Sequence, residues 1–342
     1  MTTMLRVVHA VRSDGFAGVE RHVAQLAAAQ HDAGHRVAVI GGDPTAMSTA
    51  IDRAAVLHAP ATTVAETARA INHWARCDVV HVHMTATELA ATLAVHARVP
   101  VVSTRHFAQH RGAGRAGRFV APLAALGIRR QIAVSQYVAE RIDGSSTVVH
   151  PGVPNRPDGL PAQARERVVL LAQRLEPEKC TDVGLRAFAA SRLADEGWRL
   201  HVVGDGAQRA SLQRLANDLD IGSAVQFLGF RSDVATLMTR SSLLLAPCPI
   251  EGLGLTVLEA MSSGLPVVAA GAGGHLETVG ACAGAAMYPP GDAAAAGNQL
   301  VELARDEARR GEYGRVLQET QRKQFTLVAQ QRATDLVYRS VL

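Results

Sequence analysis

Aromatic residues, cysteines and long apolar runs are all scarce in this sequence. Aromatic side chains make up 4% of the 342 residues, whereas hydrophobic residues as a whole make up 48%, so we expect an aliphatic core. No apolar run approaches the roughly 18 to 20 residues that a membrane-spanning helix needs. The N-terminal segment enters a strand-like run without the pattern of a signal peptide. These absences predict a cytoplasmic globular protein.

The cysteines are widely separated, and the sequence has no Cys-x-x-Cys pair. They are Cys77, Cys180, Cys248 and Cys282. This spacing disfavours a disulfide framework and a zinc knuckle, and it suits a reducing compartment. A large charge excess is also lacking, because 35 basic and 31 acidic residues give a net charge of +4. Such a mild balance does not predict a nucleic-acid partner.

The first half of the chain alternates strand-like runs with helix-length amphipathic stretches. The strand-like runs are 5–11, 36–42, 78–83, 99–106, 131–135 and 146–153. Continuous β-branched runs of this kind are typical of parallel strands that helices cover on both faces. They predict a doubly wound, Rossmann-like α/β domain.

A proline-rich stretch at 151–167 interrupts this rhythm, which then restarts. The later strand-like runs are 167–175, 199–206, 225–230, 242–248, 265–270 and 284–291. A chain of this length also favours two domains. The predicted bounds are an N-terminal Rossmann-like domain at 1–153, a linker at 154–166, a C-terminal Rossmann-like domain at 167–325 and a helix at 326–342 that could pack back on the N-terminal domain. Two such sheets facing each other would form a ligand cleft beyond the carboxyl ends of their strands.

Compatible polar groups follow two predicted strands of the second half. Arg174 and Lys179 follow the first strand, and Gly204 and Gly206 follow the second. An arginine fork and a lysine point charge together neutralise a diphosphate, and glycines allow backbone amides to approach it. Because the carboxyl ends of parallel strands meet at one edge of a sheet, we expect these groups to converge there.

Two glutamates, Glu251 and Glu259, flank a glycine turn that leads into a helical pattern. Backbone N–H groups at the start of a helix attract anions, so the turn predicts a cradle for phosphates. The residues of this cradle are Gly252, Leu253, Gly254, Leu255 and Thr256. Glu259 is then placed to bind ribose hydroxyls, and Glu251 to bind hydroxyls of the group that the phosphates carry. A capping box of Thr256 and Glu259 explains part of the pattern without a ligand, and that alternative stays open.

Together these motifs resemble those of the retaining glycosyltransferases of family 4, which have the GT-B fold. The resemblance rests on the spacing of the two glutamates, on QRLEPEK at 173–179 and on GFAGVERHV at 15–23. It implies two Rossmann-like domains that face each other across a cleft, with a nucleotide-diphospho-sugar donor mainly on the C-terminal domain and an acceptor mainly on the N-terminal domain. The implied roles are Arg174 and Lys179 on the diphosphate, Glu251 on the sugar and Glu259 on the ribose.

The resemblance extends to the N-terminal half. Gly18 matches the glycine-rich turn of the family, which implies that it lies near the donor phosphates. His106 belongs to a T-x-H that begins at Thr104, which implies that it lies near the transferred sugar. Three positions depart from the family pattern: Ala17 and Cys180 replace glycines that are common there, and Cys248 replaces a serine. A methyl group at residue 17 would narrow the approach to the phosphate if that position needs an unusual backbone conformation.

The reaction that the resemblance implies is the transfer of a hexose from a nucleotide-diphospho-sugar to a hydroxyl of a glycan, a glycolipid or a small molecule. The expected course is net retention without a metal or another cofactor, because positive side chains and backbone amides can stabilise the departing diphosphate. No carboxylate nucleophile is evident in the sequence, which favours attack from the face that the diphosphate leaves. A nucleotide-sugar 2-epimerase on the same fold and a non-catalytic nucleotide-sugar-binding protein stay open as alternatives.

Two further patterns have simpler interpretations. His81 and His83 alternate on one predicted strand and could begin a metal site with Cys77, but no further ligand stands at a fitting spacing, so we predict no metal site. Arginines are also concentrated within 105–130: Arg105, Arg111, Arg115, Arg118, Arg129 and Arg130. A solvated basic loop explains them. The alternative is recognition of an anionic acceptor or peripheral contact with an anionic membrane face.

Overall fold

The protein divides into two compact units in the computed structural model. The described residues are 4–51, 55–94, 99–112 and 117–342, with the backbone alone described at 117–120. One unit comprises the described residues up to 152 together with 327–342, and the other comprises 153–326. Residues 154–166, which the sequence predicts as a linker, group with the second unit.

The first unit contains a parallel sheet. Within the described residues its strands are β1 (Arg6–Val11), β2 (Arg36–Ile40), β3 (Leu57–Ala59), β4 (Val79–His83), β5 (Val101–Arg105), β6 (Ile128–Ala133) and β7 (Thr147–Val148). Their order is β3-β2-β1-β4-β5-β6-β7. This arrangement confirms the predicted doubly wound α/β fold. The sequence analysis missed β3, because its three residues are too short to give a strand-like run.

Helices flank this sheet, and the last one comes from the C-terminal end of the chain. They are α1 (Gly18–Asp32), α2 (Pro44–Ile51), α3 (Val64–His73), α4 (Thr85–Leu93), α5 (Gly117–Leu126), α6 (Gln136–Ala139) and α13 (Leu327–Arg339). Helix α13 packs against α1 and buries Tyr338 completely. In the described ranges, none of the helices is both long enough and apolar enough to cross a bilayer.

The second unit repeats the topology of the first. Its strands are β8 (Glu166–Ala172), β9 (Arg199–Val203), β10 (Val225–Gly229), β11 (Ser241–Ala246), β12 (Val267–Ala270) and β13 (Ala286–Tyr288), in the order β10-β9-β8-β11-β12-β13. Its helices are α7 (Thr181–Ser191), α8 (Arg209–Asp218), α9 (Val234–Arg240), α10 (Leu255–Ser262), α11 (Ala293–Arg305) and α12 (Glu307–Gln324). Strands β11 and β12 are buried along their whole length, as expected when helices cover both faces of a parallel sheet.

Each sheet has one point at which the strand order reverses. In the first unit β1 and β4 are neighbours, and in the second unit β8 and β11 are neighbours. The crossovers that follow two such strands run to opposite sides, so a crevice opens beyond their carboxyl ends, and ligands of open α/β sheets bind there. The loops after β8 and β11 contain most of the residues that the sequence analysis assigned to the donor.

Histidines form part of the core of the first unit. His9, His81 and His83 lie on β1 and β4, His22 lies on α1, and each is at most 4% exposed. The ring centroids of His81 and His83 are 4.4 Å apart, and those of His9 and His81 are 5.0 Å apart. Burial disfavours the charged imidazole and lowers the pKa of all four, that of His9 to about 4. The folded protein therefore keeps these four rings neutral at pH 7.

A strained residue follows Lys179 in the second unit. Cys180 ends the 3₁₀ turn Pro177–Lys179 and caps the start of α7 with φ 52° and ψ 41°. This left-handed conformation costs a residue with a Cβ atom roughly 1–2 kcal/mol, a cost that glycine avoids. The structure thus gives a physical reason for the glycine that is common at this position in the family.

We expect the first unit to lose stability as the pH falls below about 6.5, the usual pKa of histidine. Between that pH and the lowered pKa values of the folded protein, the unfolded chain binds protons that the folded chain does not, and above it the difference vanishes. Each such histidine lowers the free energy of unfolding by at most about 1.4 kcal/mol per pH unit. Denaturant unfolding between pH 4.5 and 8 measures the slope, with Trp74 as the fluorescent reporter in a Trp198→Phe background.

Two variants give the control for this pH dependence. His9→Gln should reduce the slope of the free energy of unfolding against pH by the contribution of about one proton, because the unfolded variant no longer protonates at that position. His110 is exposed, so His110→Gln should leave the slope unchanged. Equal slopes for the parent protein and His9→Gln would contradict the expectation.

Replacing Cys180 by glycine should stabilise the second unit by up to about 1 kcal/mol, because glycine adopts the left-handed conformation without steric cost. Cys180→Ala is the matched control, since it removes the sulfur but keeps the Cβ atom. Denaturant midpoints are read from Trp198 in a Trp74→Phe background. A glycine variant no more stable than the alanine variant would refute this account of the strain.

Candidate active site

The reversal point of the second sheet brings two predicted site residues together. Lys179 lies in the loop after β8, and Glu251 lies in the loop after β11. The Nζ atom of Lys179 is 2.6 Å from Oε2 of Glu251, although 72 residues separate them along the chain. Their side chains are 17% and 26% exposed, so the ion pair is sheltered but remains open to a ligand.

The ionisation of Glu251 depends on this partner. Burial of the carboxyl group opposes ionisation and would raise its pKa, but the ammonium of Lys179 outweighs that effect, so the pKa of Glu251 lies below its usual value. Glu251 is therefore a carboxylate at neutral pH. An ionised carboxylate accepts hydrogen bonds from hydroxyl groups, which is the chemistry that the sequence analysis assigned to it.

The predicted cradle forms the start of α10. Gly254 is the N-cap residue, with φ 94°, and no side chain caps the helix there. Thr256 is therefore the second residue inside the helix, and the capping-box interpretation of Thr256 and Glu259 is wrong. Because the helix dipole is positive at this end, the first backbone amides of α10 form a site that favours an anion. Glu259 lies one turn further along and is 9% exposed.

Arg174 does not join the pair of Lys179 and Glu251 in this structure. Its Nη2 atom is 3.0 Å from Oε1 of Glu178, and both side chains are largely exposed. Exposed ion pairs of this kind contribute only about 0–1 kcal/mol. Arg174 can therefore exchange Glu178 for a more highly charged partner at little cost.

Gly204 and Gly206, in the loop after β9, have a structural reason to be glycine. A Cβ atom on Gly204, whose φ is 121°, would lie 2.0 Å from the carbonyl oxygen of Gln173, and one on Gly206 would lie 2.5 Å from that of Leu175. These glycines let the loop after β9 pack directly against the loop that leads to Lys179. Their assignment to the donor stays a prediction.

The sequence analysis missed a third glycine-containing loop that contacts Glu251. It follows β12 and contains Gly273, Gly274 and His275. The amide of Gly274 donates a 2.8 Å hydrogen bond to the carbonyl oxygen of Glu251, and a Cβ atom on Gly274 would lie 2.4 Å from Cα of Leu253. His275 is buried, and burial lowers its pKa. The signal in the sequence was the glycine cluster at 271–274 directly after a strand-like run.

In the first unit, Gly18 is the first residue of α1, and Ala17 is its N-cap. The backbone of Ala17 is extended, with φ −120°, and its amide donates a 2.9 Å hydrogen bond to Oε2 of Glu20. Because this conformation is ordinary for any residue, the methyl group of Ala17 causes no backbone strain. The replacement of glycine by Ala17 would narrow the approach to the phosphate only if residue 17 needed an unusual backbone conformation, and it does not.

His106 follows β5 and contacts the buried histidines. Its Nε2 atom is 3.1 Å from Nδ1 of His83, and its ring meets that of His22 edge-on, with centroids 4.8 Å apart. The sequence analysis grouped only His81 and His83, on one strand, and named His106 separately. The other rings come from β1, α1 and the end of β5, which lie next to one another only in the fold.

The expectation of a solvated side chain is wrong for Arg111 and for Arg105, which are both buried. In Arg111 the charge is already paired within the protein. Its Nε atom is 2.6 Å from Oε2 of Glu88, and its Nη2 atom is 2.6 Å from Oε1 of Gln131. Its guanidinium also pairs with Asp143, which binds Arg105 as well. Of the other arginines in that stretch, Arg115 and the side chain of Arg118 lie outside the described residues.

Known proteins with similar structures have the same fold over nearly the whole chain. The Anabaena protein Alr3699/HepE, solved in complex with UDP-glucose, is 22% identical, has a TM-score of 0.82, and aligns with 98% of this chain and 100% of its own. The sucrose-phosphate synthase of Thermosynechococcus elongatus is 19% identical, with a TM-score of 0.77 and 98% of both chains aligned. At these identities the likeness establishes the GT-B fold alone.

Similar sequences include two curated bacterial proteins. The D-inositol 3-phosphate glycosyltransferase of Mycobacterium bovis is 41% identical over 146 residues, which cover 37% of this chain and 29% of that protein. The exopolysaccharide phosphotransferase SCO2592 of Streptomyces coelicolor is 30% identical over 166 residues, which cover 46% of this chain and 18% of that protein. The matched segments thus span less than a third of either relative.

Two family descriptions match consecutive parts of the sequence. Residues 16–155 match Glycosyltransferase Family 4, and residues 154–323 match Glycosyl transferases group 1. The two matches together run from the loop before α1 to the end of α12. The chain therefore belongs to the group 1 glycosyltransferases of family 4, with the GT-B fold.

Proposed function

We propose that the protein is a retaining glycosyltransferase that moves a hexose from a nucleotide-diphospho-sugar to a hydroxyl of a glycan, a glycolipid or a small-molecule acceptor. The observation that carries this proposal is the ion pair of Lys179 and Glu251 beside the uncapped start of α10. The ammonium of Lys179 suits the diphosphate of the donor, and the carboxylate of Glu251 can accept hydrogen bonds from the hydroxyls of the sugar. The anion-binding amides of α10 suit the phosphate oxygen in the bond between them.

Stabilisation of the leaving diphosphate is the main catalytic effect in this proposal. As the bond from the sugar to the phosphate oxygen breaks, negative charge grows on the diphosphate, and preorganised donors act on that charge. Lys179 contributes a point charge, and its ion pair with Glu251 fixes the position of that charge. Arg174 contributes a guanidinium with paired donors, which can leave its weak surface ion pair with Glu178. The amides of 254–256 add the positive end of the helix dipole. These groups supply positive charge from the protein itself, which supports a reaction without a metal.

Retention follows from attack on the face that the diphosphate leaves. The acceptor oxygen forms a bond to the anomeric carbon as the phosphate oxygen departs, and the proton of the acceptor hydroxyl passes to that phosphate oxygen. The Lys179 ammonium competes for the carboxylate of Glu251, so this carboxylate is better suited to binding sugar hydroxyls than to attacking carbon. His106 is the residue of the first unit that the family resemblance assigns to the sugar.

The donor is proposed to be a uridine diphosphate hexose. The support for this choice is that the structurally similar HepE was solved with UDP and with UDP-glucose. The ribose is assigned to Glu259, whose position one turn inside α10 follows the anion-binding amides. One relative is named an exopolysaccharide phosphotransferase and another a D-inositol 3-phosphate glycosyltransferase. These names support a polyhydroxylated acceptor.

Incubation with UDP-glucose and a panel of polyols and oligosaccharides tests the proposal. We expect a glycoside with the anomeric configuration of the donor, as read by NMR, and an unchanged rate in excess EDTA. A 2-epimer formed without acceptor would establish the epimerase alternative, and a thermal shift with UDP-glucose but no turnover with any acceptor in the panel would establish the binding protein. An inverted product would exclude the retaining mechanism.

Variants of the two glutamates should separate the sugar from the nucleotide. Glu259→Ala should weaken UDP binding about 10- to 100-fold, the value of one or two hydrogen bonds to a charged group. Glu251→Ala should slow transfer about 100-fold or more, as loss of a preorganised charged group does, while UDP still binds. Calorimetric titration with UDP and initial rates measure the two effects.

Glu178→Gln is the matched control for these variants, because Glu178 is an exposed glutamate that pairs only with Arg174 among its described ion pairs. It should change neither UDP affinity nor rate by more than about twofold. Unchanged UDP affinity in Glu259→Ala would refute the ribose assignment.

A further inference from the structure

A chain of hydrogen bonds connects His106 to the core of the first unit. The Nε2 atom of His106 is 3.1 Å from Nδ1 of His83, and Nε2 of His83 is 3.1 Å from Nδ1 of His9. The Nε2 atom of His9 is 2.6 Å from Oε1 of Gln30. His83 and His9 thus each form one hydrogen bond on the side of His106 and one on the side of Gln30. His106 ends the chain and forms one.

The orientation of the Gln30 amide in this structure, with its oxygen toward His9, gives this chain one direction. The amide oxygen of Gln30 can only accept a hydrogen bond, so His9 has its proton on Nε2. A neutral imidazole has a single N–H, so Nδ1 of His9 accepts and Nε2 of His83 donates to it. By the same argument Nδ1 of His83 accepts, and Nε2 of His106 donates. The Nδ1 atom of His106 is left with a lone pair.

A second branch from Gln30 has a consistent direction. Its side-chain NH₂ donates to the hydroxyl of Tyr338 at 3.2 Å, and that hydroxyl is 2.7 Å from Nδ1 of His81. The Tyr338 O–H therefore donates to His81, whose Nε2–H donates to Oγ1 of Thr104 at 2.6 Å. Reversing the amide of Gln30 would reverse every bond in both branches. The orientation of this one side chain therefore decides which ring nitrogen carries the proton in four histidines: His9, His83, His106 and His81.

Burial keeps this network uncharged. Because the rings are desolvated, the pKa of His9 is lowered to about 4 and that of His106 to about 3, and the pKa of His83 is also lowered. A neutral His83 is required for the chain, because an imidazolium has no lone pair with which to accept a proton from His106. His106 is the one member of the chain that is partly exposed, so its Nδ1 is the atom of the chain that is available to a ligand.

We propose that His83 and His9 are positioning residues that keep His106 in its Nε2–H tautomer, so that its Nδ1 accepts a hydrogen bond from a hydroxyl of the transferred sugar. The ligand in this inference, a sugar hydroxyl, rests on the proposed function. The tautomer of His106 rests on the hydrogen-bond chain alone. A neutral acceptor at this place favours a hydroxyl and disfavours a carboxylate, whose lone pairs would face that of Nδ1. The site is therefore expected to select hexose donors over hexuronate donors.

A metal ion is the competing explanation for this cluster. Two sets of nitrogen atoms lie within 4.8 Å of one another, one from His9, His81 and His83 and the other from His22, His83 and His106. A metal bound to either set would need the lone pair of His83, which already accepts the hydrogen bond from His106 in this chain. The complete pairing of donors with acceptors favours hydrogen bonds, and the experiment includes a metal as an outcome.

Two-bond proton–nitrogen NMR on uniformly ¹⁵N-labelled protein measures the tautomer directly. The signal of His106 is assigned by its loss in His106→Gln. We expect a single Nε2–H tautomer between pH 6 and 8 in the parent protein. His83→Leu should give a mixture of the two tautomers, whereas His83→Gln should keep the Nε2–H form, because a glutamine amide also offers one acceptor and one donor.

The kinetic arm uses the same variants with UDP-glucose and UDP-glucuronate. His83→Leu should lower kcat/KM for UDP-glucose about tenfold, the value of one hydrogen bond, and should narrow the preference over UDP-glucuronate. His83→Gln should stay within about threefold of the parent protein. His35→Gln is the control for loss of a buried histidine, because His35 binds the Leu5 amide and Asp335 instead.

Several results would overturn the inference. They are an Nδ1–H or mixed tautomer of His106 in the parent protein, an unchanged tautomer in His83→Leu, and a stoichiometric metal in the purified protein whose removal shifts the histidine signals. If His83→Leu does not fold, Gln30→Met makes the same prediction. If no sugar is transferred, the tautomer results still test the chain, and the proposed function fails separately.

Discussion

The ion pair of Lys179 and Glu251 is the interaction on which the rest of the candidate site depends. Strands β8 and β11 are neighbours at the reversal point of the second sheet, so their loops meet there although their residues are far apart in sequence. Desolvating a lone carboxylate is unfavourable by several kcal/mol, and the ammonium of Lys179 offsets that cost. The topology therefore creates the pair, and the pair keeps Glu251 ionised in a sheltered place.

Close backbone contacts keep this pair in position. Gly204 and Gly274 both lie where a Cβ atom would overlap a neighbouring loop, at 2.0 Å and 2.4 Å. Backbone atoms thus join the loop after β9 to that after β8, and the loop after β12 to that after β11, where the Glu251 carbonyl accepts a hydrogen bond from the amide of Gly274. Such contacts fix amide directions without relying on flexible side chains, which is the condition for preorganised stabilisation of charge.

The sequence predicted what depends on local pattern and missed what depends on the fold. Buried parallel strands have continuous apolar runs, so twelve of the strand positions and the residues directly after them could be placed from the sequence. The three-residue β3 has no such run. The partners of Arg111 and the rings around His83 come from several elements, and no spacing along the chain encodes those contacts. The backbone conformation that strains Cys180 was also invisible, because it depends on the turn before α7.

The two units share one topology but differ in the electrostatics of their reversal points. At the reversal point of the second sheet, the partly exposed side chains of Lys179 and Glu251 form an ion pair, which agrees with the proposed binding of a diphosphate. At that of the first sheet, complete burial removes charge from the histidines on β1 and β4, which suits a neutral sugar. A neutral imidazole has one N–H, so its proton must lie on one of the two ring nitrogens. A charged imidazolium has a proton on both and leaves no such choice. In the proposed chain the side chain that settles this choice is Gln30, which is buried in the core, so the hydrogen-bonding character of His106 depends on a residue two rings away from it.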